Sequence, residues 1–155
     1  MEEQIQSLFL DLCKEYKLPI IPIIFVDLDI KDTGEYDSRN NRVGFNVRRI
    51  RLDNCLERTV RHEFRHYWQR CQGFLEPWNT LSKDEQDQAT KLLIHPLEED
   101  SKEFSVHPDL GVHTEIVLSA EPLEVRLALS SNIRRVQVRK KISQAISVVR
   151  KSLLL

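Results

Sequence analysis

Residues 59–69 read TVRHEFRHYWQ, with His62 and His66 four apart and Glu63 directly after the first. The fold turns on whether this stretch is a helix, because only then do both imidazoles project from one face. On a wheel of about 100° per residue, residues 53–72 separate into three sectors rather than two. Leu56, Val60, Phe64, Tyr67, Trp68 and Cys71 form an apolar sector that faces a core. Glu57, Arg58, Arg61, Arg65 and Gln72 form a charged sector that faces water. His62 and His66 fall in a third sector with Cys55 and Thr59, which reads as a second packed face whose polar groups need a partner. Imidazoles at this spacing can meet at one ion about 2.0–2.1 Å from each nitrogen. Glu63, on the edge of that face, is placed to act as a general base beside the ion rather than to ligate it.

Two histidines leave a catalytic zinc site one protein ligand short. The extended metzincin spacing would need a glycine and a third histidine at positions occupied by Gln69 and Gln72, so that class is excluded. The remaining solution is a carboxylate from a later helix. The acidic segment PLEEDSKEF, residues 96–104, has apolar anchors in Leu97 and Phe104, and its Glu98, Glu99, Asp100 and Glu103 are all candidates.

Taken together, HEFRHYWQ and PLEEDSKEF resemble the compact HExxH metallopeptidases of the ImmA/IrrE type and the short zincins of Gram-positive bacteria and their phages. The resemblance covers roughly residues 20–104. In that family the third ligand opens a pattern of Glu, two residues, a small residue, two residues and Phe. On this chain the pattern falls on Glu98, Ser101 and Phe104, so the resemblance selects Glu98 from the four acids. Ser101 stands where the family has alanine, Arg65 stands where it has a small residue, and the last third of the chain matches nothing in it. The resemblance implies an α+β, zincin-like domain: a small sheet packed on the HExxH helix, with a second ligand-bearing helix. It further implies one Zn²⁺ per chain held by His62, His66 and Glu98, Glu63 as general base, and a protein or peptide substrate.

Outward from this centre, Ile5, Leu8, Phe9, Leu12, Cys13 and Tyr16 recur with helical period and predict an N-terminal helix. LPIIPIIFVDLDI predicts a buried strand, with Pro22 marking an edge or an irregular start. KDTGEYDSRNN predicts a turn and RVGFNVRRI a second strand, the pair forming a hairpin. The motif helix is expected to start at Asp53 or Asn54, with Glu57 completing a capping box, and to end at Gly73. SKDE opens a helix at Ser82 that runs to Leu93 or Ile94, and Pro96 opens another. TEIVLS and LEVRLAL predict short strands. Asn132 is expected to cap a last helix with Ile142, Ala145, Ile146, Val149 and Leu153 as its apolar stripe. His107 and His113 lie in a turn-rich stretch, where they are loop histidines or donors to a developing oxyanion.

A chain of 155 residues, 41% hydrophobic and 30% charged, fits one soluble domain over 1–155. The N-terminus lacks the basic and apolar regions of a signal peptide, and no apolar run is long enough to cross a membrane. Three cysteines without paired spacing point to a reducing compartment, hence the cytoplasm. The net charge of −1 is unevenly spread: every charged residue after Glu124 is basic. That asymmetry supports an alternative reading, a non-catalytic zincin-like module that binds a protein or nucleic acid through its basic C-terminal helix, about 132–155. A third reading has the metal serving folding alone.

Overall fold

The computed structural model describes residues 1–91, 95–108 and 123–154. Helix α1 (Glu2–Glu15) buries Ile5, Phe9, Leu12 and Cys13, the face set by its apolar period.

Three strands follow: β1 (Ile23–Val26), β2 (Gly34–Asp37) and β3 (Arg42–Asn46), in the order β1-β3-β2. The expected hairpin between β1 and β3 is corrected here: those two strands are parallel, and the hairpin joins β2 to β3. Strand β2 lies inside the segment read as a turn. GEYD has little β-branched character, and it becomes a strand because its backbone pairs with β3, Tyr36 opposite Val43. Between them, the Asp37 carboxylate accepts bonds from the Asn40 amide, the Arg39 and Asn40 backbone N–H groups and the Arg42 guanidinium. The Asn40 side-chain bond leads these in holding the Asp37 carboxyl below its ordinary range, against a smaller effect of desolvation. Strand β1 lies at an edge of the sheet, as its preceding proline suggested, but it is only partly covered and not the buried strand expected.

RVGFNVRRI is strand for only five residues. Asn46 stops it, accepting the Arg49 backbone N–H as the N-cap of α2 (Val47–Asp53) while its amide donates to the Leu28 and Asp32 carbonyls. A short polar side chain that bonds backbone on both sides ends a strand and starts a helix in one step. Asn54 adopts the left-handed conformation at the C-terminus of α2, so it does not cap the next helix as expected. That helix, α3, spans Leu56–Cys71. It ends in a Schellman turn: Gly73, at φ 75°, donates to Arg70 and Phe74 donates to Gln69.

Beyond it lie α4 (Leu75–Asn79), α5 (Lys83–Lys91), α6 (Pro96–Val106) and α7 (Leu123–Leu153), completing a mixed α+β architecture. Ser82 and Glu85 exchange the two bonds of a capping box at the start of α5. Helix α7 corrects two expectations: LEVRLAL forms its first turns rather than a strand, and Asn132 lies inside it. Leucine, glutamate, arginine and alanine are strong helix formers, and a short alternation does not outweigh them. TEIVLS, His113 and residues 92–94 lie outside the described residues.

Contacts divide the chain into two units, Met1–Trp68 with Ser101–Pro108, and Gln69–Asp100 with Asp109–Leu155, so that α3 and α6 each contribute to both. The first unit is built on an aromatic cluster. Phe9 meets Phe45, Phe64 and Tyr67, and Phe64 in turn meets Tyr16 and Phe104, all at ring separations of 5.3–6.3 Å. In the second, α7 packs on α4 and α5 and buries Val138, Ile142, Ala145 and Val149. Ile146 is half-buried and Leu153 exposed, so the stripe is narrower than expected. Among the described residues no helix is long and apolar enough to cross a membrane.

Candidate metal centre

Helix α3 is buried on more sides than its sequence suggests. Val60, Phe64, Tyr67 and Trp68 are covered, and so are Thr59, Glu63, Arg65 and Gln69. Arg65, assigned to the water-facing sector, is 1% exposed, its guanidinium 3.5 Å over the Trp68 ring and 4.9 Å from Phe104. A planar, weakly hydrated cation can be buried on aromatic faces where a lysine could not. Cys71, assigned to the apolar sector, is exposed in the last turn.

The third sector does pack. Thr59 and Glu63 lie against strand β2, where a Cβ built on Gly34 would stand 2.9 Å from Glu63 Cγ and 3.0 Å from Thr59 Cγ2. Any larger residue at 34 would displace the Glu63 side chain. A glycine inside a strand often marks such a close approach, but the segment has first to be recognised as a strand.

His62 and His66 project together from α3, with their Nε2 atoms 3.2 Å apart. Two nitrogens each about 2.0–2.1 Å from one tetrahedral ion stand about 3.3–3.4 Å apart, so this pair already has the spacing of two ligands of one zinc. Glu98, in the first turn of α6, completes a group that could hold an ion: one ligand atom from each of His62, His66 and Glu98 lies within 4.8 Å of the others, and all three residues are half-buried. Two imidazoles and a carboxylate suit Zn²⁺ and leave a tetrahedral position open. The other acids of the segment play different parts. Glu99 is exposed, and Asp100 is buried, accepting a 2.9 Å bond from the Gln69 amide.

Gln69 also donates to the Leu97 carbonyl, so one buried amide grips α6 on both sides of Glu98 in sequence. Sequence reasoning used Gln69 only to exclude a ligand spacing, although it stands one turn beyond His66. The N-terminus of α6 is held by His95, whose Nδ1 accepts from the Glu98 backbone N–H at 3.4 Å and whose ring lies 4.4 Å from that of Trp78. Behind the pair, Ser101 Oγ lies 3.2 Å from His66 Nδ1. His107 lies just past α6, exposed, its backbone N–H donating to Glu103. No protein-family model, curated protein or solved structure matches the chain.

Proposed function

We propose that this protein is a zinc-dependent peptidase, with His62, His66 and Glu98 as ligands and Glu63 as general base. The observation that carries the reading is the three-donor group on α3 and α6, with a glutamate that is not one of the donors beside it on α3. Zinc held there would supply Lewis acidity toward a carbonyl oxygen and toward water. Glu63 would accept a proton from the attacking water and return it to the departing amine. Packing against Gly34 limits the conformations open to the Glu63 stem, so little ordering is left for the reaction to impose. At Gly34 the edge strand β2 meets this part of the helix with no side chain of its own.

The test starts from wild-type protein, assayed for zinc content and for cleavage of a mixed peptide library. Glu63→Gln keeps the shape and a polar head but removes the base. It is expected to retain zinc and fold while losing at least about 10²-fold in cleavage rate. Equal cleavage by Glu63→Gln would rule out the mechanism.

A second reading, a non-catalytic module binding an acidic partner or nucleic acid, draws on α7, where Arg139, Lys140, Arg150 and Lys151 are exposed. It calls for wild-type protein that holds zinc, cleaves nothing, and binds a nucleic acid with an affinity that drops steeply as salt rises.

A further inference from the structure

We propose that Ser101 is a positioning residue for the metal, fixing His66 in the tautomer and ring orientation that turn Nε2 toward the ion. The inference rests on the zinc reading above and adds a residue that it does not require. Ser101 is fully buried on α6, and its hydroxyl lies 3.2 Å from His66 Nδ1. The opposite nitrogen of the same ring, Nε2, is the one that faces His62 Nε2. An imidazole that gives Nε2 to a metal carries its proton on Nδ1, and that N–H needs an acceptor. The Ser101 oxygen, 3.2 Å away, is placed to be that acceptor.

Such outer partners orient metal-bound histidines and raise their basicity, and removing one typically costs about 10–100-fold in affinity. Ser101 is three residues after Glu98, one turn along α6, so the carboxylate and the hydroxyl share a face. One helix face thus brings both a direct ligand and the group that orients a ligand of the other helix. An alanine at this position would fill nearly the same space and remove the Ser101 oxygen from Nδ1, at the cost of that hydrogen bond. That cost falls on the metal-bound state, where the tautomer is dictated, and much less on the metal-free state, where the proton can move to the other nitrogen.

The experiment measures Zn²⁺ affinity by competition with a chromophoric chelator for wild type, Ser101→Ala and Ser101→Thr, with thermal melts of the metal-free proteins alongside. Ser101→Ala is expected to bind zinc about 10-fold or more weakly while its metal-free melting temperature stays near wild type. Ser101→Thr, which keeps the hydroxyl, is expected to recover most of the affinity. Nitrogen-detected NMR of zinc-loaded wild type is expected to show His66 bound through Nε2 with Nδ1 protonated. Coordination through Nδ1 would overturn the proposal whatever the variants do. So would wild-type affinity in Ser101→Ala, or a loss matched by an equal fall in metal-free stability without rescue by threonine. Failure of wild type itself to bind zinc would instead bring down the metal reading, and this inference with it.

Discussion

Helices α3 and α7 both carry arginines and apolar residues at helical spacing, yet they use them in opposite ways. On α3, Arg65 is 1% exposed and stacked on Trp68, and Glu63 and Gln69 are buried too. On α7, Val138, Ile142, Ala145 and Val149 are buried, while Arg139, Lys140, Arg150 and Lys151 keep their charges in water. A helix with one apolar stripe is held by that stripe alone, and its polar face is free to vary. A helix that buries polar groups on a second face must satisfy each of them, which ties its sequence to particular partners. The difference is between a helix that supports and a helix that presents.

The strongest way to break this comparison is to attack the presented face. His66→Ala and Glu98→Ala are expected to abolish stoichiometric zinc by elemental analysis, whereas Glu99→Ala, one residue away on α6 but exposed, is expected to retain it. A metal content that tracks Glu99 instead of Glu98 would show that α6 is rotated from the arrangement described. Next in size are the cores beneath the two helices. Phe64→Ala removes a ring that meets Phe9, Tyr16, Tyr67 and Phe104, and is expected to cost about 3–5 kcal/mol in urea unfolding. Ile142→Val on α7 should cost only about 0.5–1.5 kcal/mol, since a single methyl is lost.

The charges sharpen the contrast further. Arg65→Ala in metal-free protein is expected to cost about 2 kcal/mol or more from its desolvated stacking alone. Arg150→Ala breaks a 3.8 Å pair with Glu85 whose arginine is 61% exposed, and should cost no more than about 1 kcal/mol. Equal costs for the two arginines would remove the distinction between the helices. The smallest effect belongs to the β2–β3 turn. The native carboxyl of Asp37 titrates below its ordinary value of 3.8, so its contribution is complete above that pH and is lost as pH falls through the lower native value. Asp37→Asn is therefore expected to lower the urea midpoint slightly at neutral pH, with the gap to wild type closing in acid.

Local chemistry explains what was legible in the chain. The His62–Glu63–His66 spacing, the glycine that ends α3, the Ser82–Glu85 capping box and the proline that opens α6 are written within a few residues of one another. Each works through bonds inside one helix turn, so each could be read without knowing what lies across from it. The mixed α+β class came from the family resemblance and from the β-branched runs LPIIPIIFVDLDI and RVGFNVRRI. Residue types alone left four carboxylates of one segment open as third ligand, and only the family resemblance singled out Glu98.

Tertiary structure decided the rest. Strand β2 exists because β3 pairs with it, and β1 runs parallel because the chain between them carries β2. No local pattern in GEYD encodes a partner strand. Arg65 looks like a solvent charge until Trp68 and Phe104 close over it, and Gln69 looks inert until the Leu97 carbonyl and Asp100 reach it. The sequence by itself determined the pair of imidazoles and the C-terminal end of the helix that bears them, because helix geometry is a property of neighbouring residues. Only the tertiary structure decided the strand pairing and the hydroxyl behind His66, because pairing and burial depend on atoms brought from distant parts of the chain.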